Sequence, residues 1–171
     1  MPEVFVGAGS NDRAEQHLAR GVEMLAAVFG PLRCSPVYQN PAVGFEGDDF
    51  LNFVIGFQTD RSMAECMRQL RAIEDACGRD RSGPKFSPRT LDFDLLIYGG
   101  FVSDDPAVDV PRGEILKYPF VLKPLADLAP EARHPAEGRT YADLWAEMAA
   151  GVPPAALTQV NWSPGEGAAR S

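Results

Sequence analysis

Two aspartates two positions apart, Asp92 and Asp94, sit in the run SPRTLDFDLLIYGG that covers residues 87–100. The run otherwise has the apolar content of a buried β-strand. Alternate side chains of a strand share a face, roughly 7 Å apart, so both carboxylates point one way while Leu91, Phe93 and Leu95 point the other. Like charges so placed repel, and burying them without a counter-charge costs several kcal/mol. The spacing calls for a cation, and the preceding segment supplies several. Residues 79–89 turn an acidic chain locally basic, with Arg79, Arg81, Lys85 and Arg89 against Asp80 alone, while Gly83, Pro84 and Pro88 limit the backbone there. A cationic loop facing two carboxylates suits a polyphosphate between them. Magnesium ions would bridge carboxylate and phosphate oxygens, and the arginines would grip the remaining phosphates two-pronged. Transfer of a phosphoryl-type group is mostly positioning and charge neutralisation, which these residue types provide. The plainer alternative is a solvated strand face whose aspartates are salt-bridged by Arg89 and Lys85.

A second group is aromatic and amide. Phe50 and Asn52 share one face of another strand pattern, and Phe86 lies in the basic loop. Two aromatics can sandwich a flat heterocycle while an Asn amide offers it both a donor and an acceptor. Phe50 as plain core and Asn52 as a partner for nearby backbone remain the bland readings. No G-x-x-x-x-G-K-[ST] loop, kinase signature or G-x-S-x-G elbow occurs, so any ATP must be held on a different scaffold.

These residues need elements to hold them. Glu3 to Ala8 reads as a strand, with Gly9-Ser10-Asn11 as a turn that also caps a helix. Leu18, Val22, Leu25 and Phe29 follow at helical spacing up to Gly30-Pro31. Arg33 to Gln39 reads as one strand, with Pro36 marking an edge or a bulge. After the loop of residues 40–49, Leu51, Phe53, Ile55 and Phe57 alternate with Phe50, Asn52, Val54 and Gln58. Ser62 and Glu65 form a capping box that opens a helix with the apolar stripe Met63, Cys66, Leu70, Ile73 and Cys77, closed by Gly78. Past the aspartate strand the patterns predict a short strand at FVSDD, a turn-broken helical stretch at YPFVLKPLADLAP and a capped helix from Thr140 to Ala150. The order β-α-β-β-α-β predicts an α/β (α+β) sandwich with a ferredoxin-like core, a mostly antiparallel sheet, two helices on one face, the other face free for a ligand, and a C-terminal extension. One catalytic domain is expected over residues 1–162, with 163–171 as a disordered tail.

Bulk composition narrows the function classes. The 171 residues, 45% apolar and 23% charged, suffice for one well-buried core rather than two domains. A net charge of −8 argues against a nucleic-acid coat, a polybasic membrane-surface protein or a two-metal nuclease. No apolar run approaches the roughly 20 residues of a membrane span, and MPEVFVGAGSN lacks the basic start of a secretory signal. Cys34, Cys66 and Cys77 lack metal-ligand spacing and read as buried thiols of a reducing, cytoplasmic compartment. His17 and His134 are isolated and expected in surface or core roles.

SPRTLDFDLLIYG resembles the hallmark segment of the 6-hydroxymethyl-7,8-dihydropterin pyrophosphokinase family of folate biosynthesis. Gly9 to Asn11 (G-S-N), Phe50 to Asn52 (F-L-N), Gly78 to Arg81 (G-R-D-R) and FVLKPLADLAPE match in order, so the likeness runs from residue 3 to about residue 145. It implies transfer of pyrophosphate from ATP to the hydroxymethyl group of the reduced pterin, releasing AMP, with two magnesium ions; a monomer is the separate expectation for the chain. It implies that Asp92 and Asp94 hold both ions, with Arg79 and Arg89 as catalytic phosphate contacts. Glu74, Arg81, Lys85 and Arg112 would complete the ATP side, and Asn40, Pro41, Val43, Phe50, Asn52, Phe86 and Phe120 would form the pterin pocket. The family commonly has Tyr and Trp where Phe50 and Phe86 stand. After V-P it usually has a His, an aromatic and, six residues on, an Arg; this chain has Arg112, Gly113 and Tyr118, with Lys117 beside the last. Those replacements raise an alternative, a non-catalytic or altered-substrate relative that binds pterin or nucleotide.

Overall fold

The computed structural model describes residues 1–42, 47–78 and 90–165 and the backbone of 169–170. In chain order the strands and α-helices are β1 (Glu3–Ser10), α1 (Ala14–Phe29), β2 (Arg33–Cys34), β3 (Val37–Asn40), β4 (Phe50–Gln58), α2 (Met63–Ala76), β5 (Asp92–Tyr98), α3 (Pro119–Leu128), α4 (Tyr141–Ala149), β6 (Thr158–Val160) and β7 (Ala169–Arg170). The sheet runs β5-β1-β4-β2-β7, with β3 also on β4 and β6 on β3. All pairings are antiparallel except β2 with β7. Leaving aside β6 and β7, this is the ferredoxin-like order expected from the pattern.

Alternation in β1 shows how the sheet separates two cores. Val4, Val6 and Ala8 pack with Leu18, Val22 and Leu25 of α1 and Leu70 and Ile73 of α2. Phe5 faces the other way, against Val54, Leu96 and Ile97 and against Leu122 and Leu125 of α3 and Leu144 of α4. The face expected to be free is therefore covered along part of its length by the C-terminal extension. The end that this extension leaves uncovered carries the acids. The run Leu95-Leu96-Ile97 explains the change of pattern: Phe5 pairs with Ile97 but Val6 with Leu95, so Leu96 is an extra residue in a bulge. Leu95 lies in the first core, while Leu96 and Ile97 both lie in the second.

Several local expectations hold. Ser62 Oγ accepts the Glu65 N–H at 3.2 Å, Thr140 Oγ1 accepts that of Asp143 at 3.1 Å, and Gly78 closes α2 at φ 86°. Others need correction. Ser10 continues β1, paired with Leu51, so the cap of α1 falls to Arg13, in the left-handed region at φ 45° without a side-chain capping bond. The strand expected over residues 33–39 is two strands interrupted at Ser35-Pro36, where Pro36 has no amide hydrogen to offer and Ser35 bonds to Val54 through both N–H and Oγ. FVSDD is not a strand: Phe101 and Val102 are exposed, and Ser103 and Asp105 satisfy each other locally. YPFVLKPLADLAP is not broken: α3 continues through Pro124, which is buried, so that packing offsets the lost backbone bond. Among the described residues no helix is long and apolar enough to cross a membrane.

Candidate active site

The open end of the second face is laid out in rows set by strand register. Tyr38 of β3 pairs with Asn52 of β4, Asn52 with Gly9 of β1, and Gly9 with Asp92 of β5. In the next row Val54 pairs with Gly7, and Gly7 with Asp94. Paired residues share a face, so Asn52 and the two aspartates look the same way, two strand spacings or about 10 Å apart. Between them the central strand shows only Gly7 and Gly9, a floor without side chains. Space demands it at Gly9, where a Cβ would lie 2.5 Å from Asn52 Oδ1.

The amide side of the floor is tied together. Asn52 Nδ2 donates to Asn40 Oδ1, Asn40 Nδ2 donates to the Pro41 carbonyl at 3.1 Å, and Asn40 pairs with Phe50 across the sheet. Asn40, Pro41, Phe50 and Asn52 are thus brought into one patch. Phe120 sits in the first turn of α3, which packs on β3 and β4; its ring stacks on Tyr118 at 4.9 Å and 18°.

The acidic side is braced from below and from the edge. The Phe93 N–H, between the two aspartates, donates to Glu74 Oε2 at 2.8 Å, and Glu74 is only 6% exposed. The carboxylate of α2 thereby holds the backbone that carries Asp92 and Asp94. On the outer side, the Leu96 carbonyl in the bulge accepts the Arg112 N–H at 2.9 Å. That bond fixes Arg112 beside the acids: its Nη2 lies 3.6 Å from Asp94 Oδ1, while Nη2 and Nε contact Glu114 Oε1 at 2.6 Å and 2.8 Å. Burial, reinforced by the charge of Asp92, pushes the Asp94 carboxyl up to about 8, against the smaller pull of Arg112. A cleft of about 290 Å³ opens here, lined by Met67, Glu74, Asp92, Asp94, Asp109 and Arg112 among others.

Among the described residues no cluster of three or more His, Cys, Asp or Glu could enclose a metal ion. Two neighbouring carboxylates on one strand face, one with a raised pKa, nevertheless form an oxygen donor set that a divalent cation would suit. Magnesium characteristically takes one or two carboxylates and completes its shell from phosphate and water, so Asp92 and Asp94 fit a metal that arrives with a polyphosphate. The cleft also gathers Glu74 and Arg112 on this side. Val43, Arg79, Arg81, Lys85, Phe86 and Arg89 lie outside the described residues. Reading the sequence overlooked Gly7 and Gly9 as a floor, although glycines alternating inside a strand signal a close approach to the backbone. It also overlooked Glu114, for which proximity to Arg112 was the only signal.

The model of the 7,8-dihydro-6-hydroxymethylpterin-pyrophosphokinase family matches residues 5–130. A Pseudomonas aeruginosa protein named 2-amino-4-hydroxy-6-hydroxymethyldihydropteridine pyrophosphokinase is 38% identical over 156 residues, covering 85% of this chain and 91% of its own. A Synechocystis protein of the same name is 35% identical over 142 residues, covering 81% of this chain and 72% of its own. In structure, the chain is similar to Plasmodium falciparum HPPK-DHPS, with a TM-score of 0.65 at 11% identity over 87% of this chain. The chain spans 42% of that longer protein, and at such identity the likeness is one of fold.

Proposed function

The chain belongs to the 7,8-dihydro-6-hydroxymethylpterin-pyrophosphokinase family, and from that membership we propose that its glycine-floored sheet face is where pyrophosphate passes from ATP to 6-hydroxymethyl-7,8-dihydropterin. One observation carries this: Asn52 and the Asp92–Asp94 pair lie in adjoining rows of one face with only glycine between them. An acceptor ring bound by Asn52 then places its hydroxymethyl group toward the acids, where the triphosphate lies. The separation of about two strand spacings suits a bicyclic ring whose substituent reaches the phosphate chain.

Asn40 orients the Asn52 amide for the ring, and Phe50, Phe86 and Phe120 supply apolar and stacking surface. Asp92 and Asp94 hold two magnesium ions, Glu74 keeps their strand in place, and Arg79, Arg81, Lys85, Arg89 and Arg112 take the phosphate oxygens. When bound, the ions neutralise the phosphate charge that otherwise repels an attacking oxygen. The hydroxymethyl oxygen bonds to the β-phosphorus, the bond from that phosphorus to the oxygen bridging to the α-phosphate breaks, AMP leaves, and the hydroxyl proton passes to solvent. Holding both substrates in one orientation supplies much of the acceleration.

The test is AMP release from ATP and magnesium, with and without the hydroxymethyl pterin. AMP should form only with the pterin, and Asp92→Ala or Asp94→Ala should lower the rate at least about 10²-fold while the protein stays folded. Near wild-type turnover in either variant would overturn the metal assignment. No AMP with this pterin would point instead to a different acceptor or to a binding module.

A further inference from the structure

Arg112, assigned above to the phosphates, is engaged by two carboxylates in the structure. Its backbone is pinned to the bulge of β5 and its guanidinium touches two acids. The Glu114 contacts, at 2.6 Å and 2.8 Å, are close; the Asp94 contact, at 3.6 Å, is an ion pair longer than a hydrogen bond. Asp94 is also the aspartate assigned to the metal. A guanidinium and a divalent ion therefore draw on the same carboxylate, and Glu114 can draw the guanidinium away from it. We propose that Arg112 and the divalent ion are alternative counter-charges of Asp94, with Glu114 as the positioning residue that holds Arg112 partly withdrawn, so that metal entry releases Arg112 toward the incoming phosphates. The idea rests on the assignment of Asp94 to the metal and extends it to the order of events at that site.

The geometry makes the exchange inexpensive. Asp94 and Arg112 keep 31% and 29% of their side-chain surface exposed, so an ion can reach Asp94 while Arg112 turns to Glu114, and neither charge is left without a counter-charge. Arg112 keeps its Glu114 partner throughout. Its peptide N–H, bonded to Leu96, stays in place whatever the side chain does, so the chain there is not remodelled.

The experiment measures binding of Mn2+ alone to the full chain, without nucleotide, by electron paramagnetic resonance. Arg112→Gln should tighten Mn2+ binding roughly fivefold, the size expected for losing one partly exposed competing ion pair. The gain should survive at about 0.5 M salt, where charges beyond contact are screened but a contact competitor is not. Arg112→Lys, which keeps a cation without the planar fork, should fall between the two. Glu114→Gln frees Arg112 for Asp94 and should weaken Mn2+ binding, but only while Arg112 is present; in an Arg112→Gln background it should change little. Equal Mn2+ affinity in wild type and Arg112→Gln at both salt levels overturns the proposal, as does a Glu114→Gln effect that persists without Arg112. Asp92→Ala and Asp94→Ala serve as a separate arm. If they leave Mn2+ binding unaltered, the metal assignment itself fails; if they abolish it while Arg112 has no influence, only the exchange fails.

Discussion

At the scale of single residues, the acids have opposing demands. Asp94 must be charged to hold a cation, yet burial and the neighbouring Asp92 favour its neutral form and push its carboxyl up to about 8. Because the folded-state pKa lies above the unfolded one, the group's stabilising contribution is fully present below the ordinary carboxylate range and is lost as pH rises through about 8. In chelator, without nucleotide, the protein should therefore lose melting temperature between about pH 4 and about pH 8 through this group. Asp94→Asn, neutral throughout, removes that part of the slope. It should match wild type at the acid end and melt roughly 3 °C higher at the alkaline end, a gain of about 1 kcal/mol tempered by partial solvent exposure. A difference that stays constant across the range would mean that Asp94 is not the strained group. This demand was legible in the sequence, because two acids at i and i+2 of a strand must share a face. The contact of Arg112 with Asp94 was not, since Arg112 is eighteen residues further on and its placement depends on a bulge.

At the scale of elements, β1 gives the site its shape. Its inner residues Val4, Val6 and Ala8 hold α1 and α2, and its outer residues change from Phe5 to Gly7 and Gly9 where the ligand would lie. Gly9→Ala tests this directly, because the new methyl would sit 2.5 Å from Asn52 Oδ1 and must displace that amide from Asn40. The expected outcome in steady-state kinetics is a rise of about tenfold or more in KM for the pterin, with KM for ATP little changed, since an amide that has lost its orientation discriminates poorly. Unchanged pterin KM would show that Asn52 does not read the ring. Strands, helices and caps were largely legible because period 2, period 3.6 and end residues are local properties of the chain. The helix through Pro124 was not, because burial overrides propensity there. The covering of the second face was also missed, yet Leu95-Leu96-Ile97 hinted at it: three consecutive apolar residues in a strand mean that both faces are buried.

At the scale of the whole molecule, the C-terminal third completes the sheet's second core and also frames the site. α3 and α4 bury Phe5, Val54, Leu96 and Ile97, and the Tyr38 hydroxyl donates to Asp127 of α3, which Lys123 also contacts at 2.7 Å. β3, whose last residue Asn40 orients Asn52, is thereby fastened to the helix that begins with Phe120. A chain ending at residue 113 leaves that whole apolar face in water, and should fail to fold cooperatively. A chain ending at residue 157 behaves differently. It loses β6 from the edge of β3, the two-residue β7 from the edge of β2, and the packing of Val160 and Trp162 on the first core, both only partly buried. The loss, about 2 kcal/mol, should lower the melting temperature by roughly 4–8 °C while pterin-dependent AMP release persists, because every residue assigned to the reaction remains. Calorimetry of the two truncations separates the roles. A cooperative melt of the shorter chain would show the second core to be dispensable, whereas inactivity of a folded longer chain would show that β6 does more than cover an edge, with β3 and its asparagine depending on it for their position.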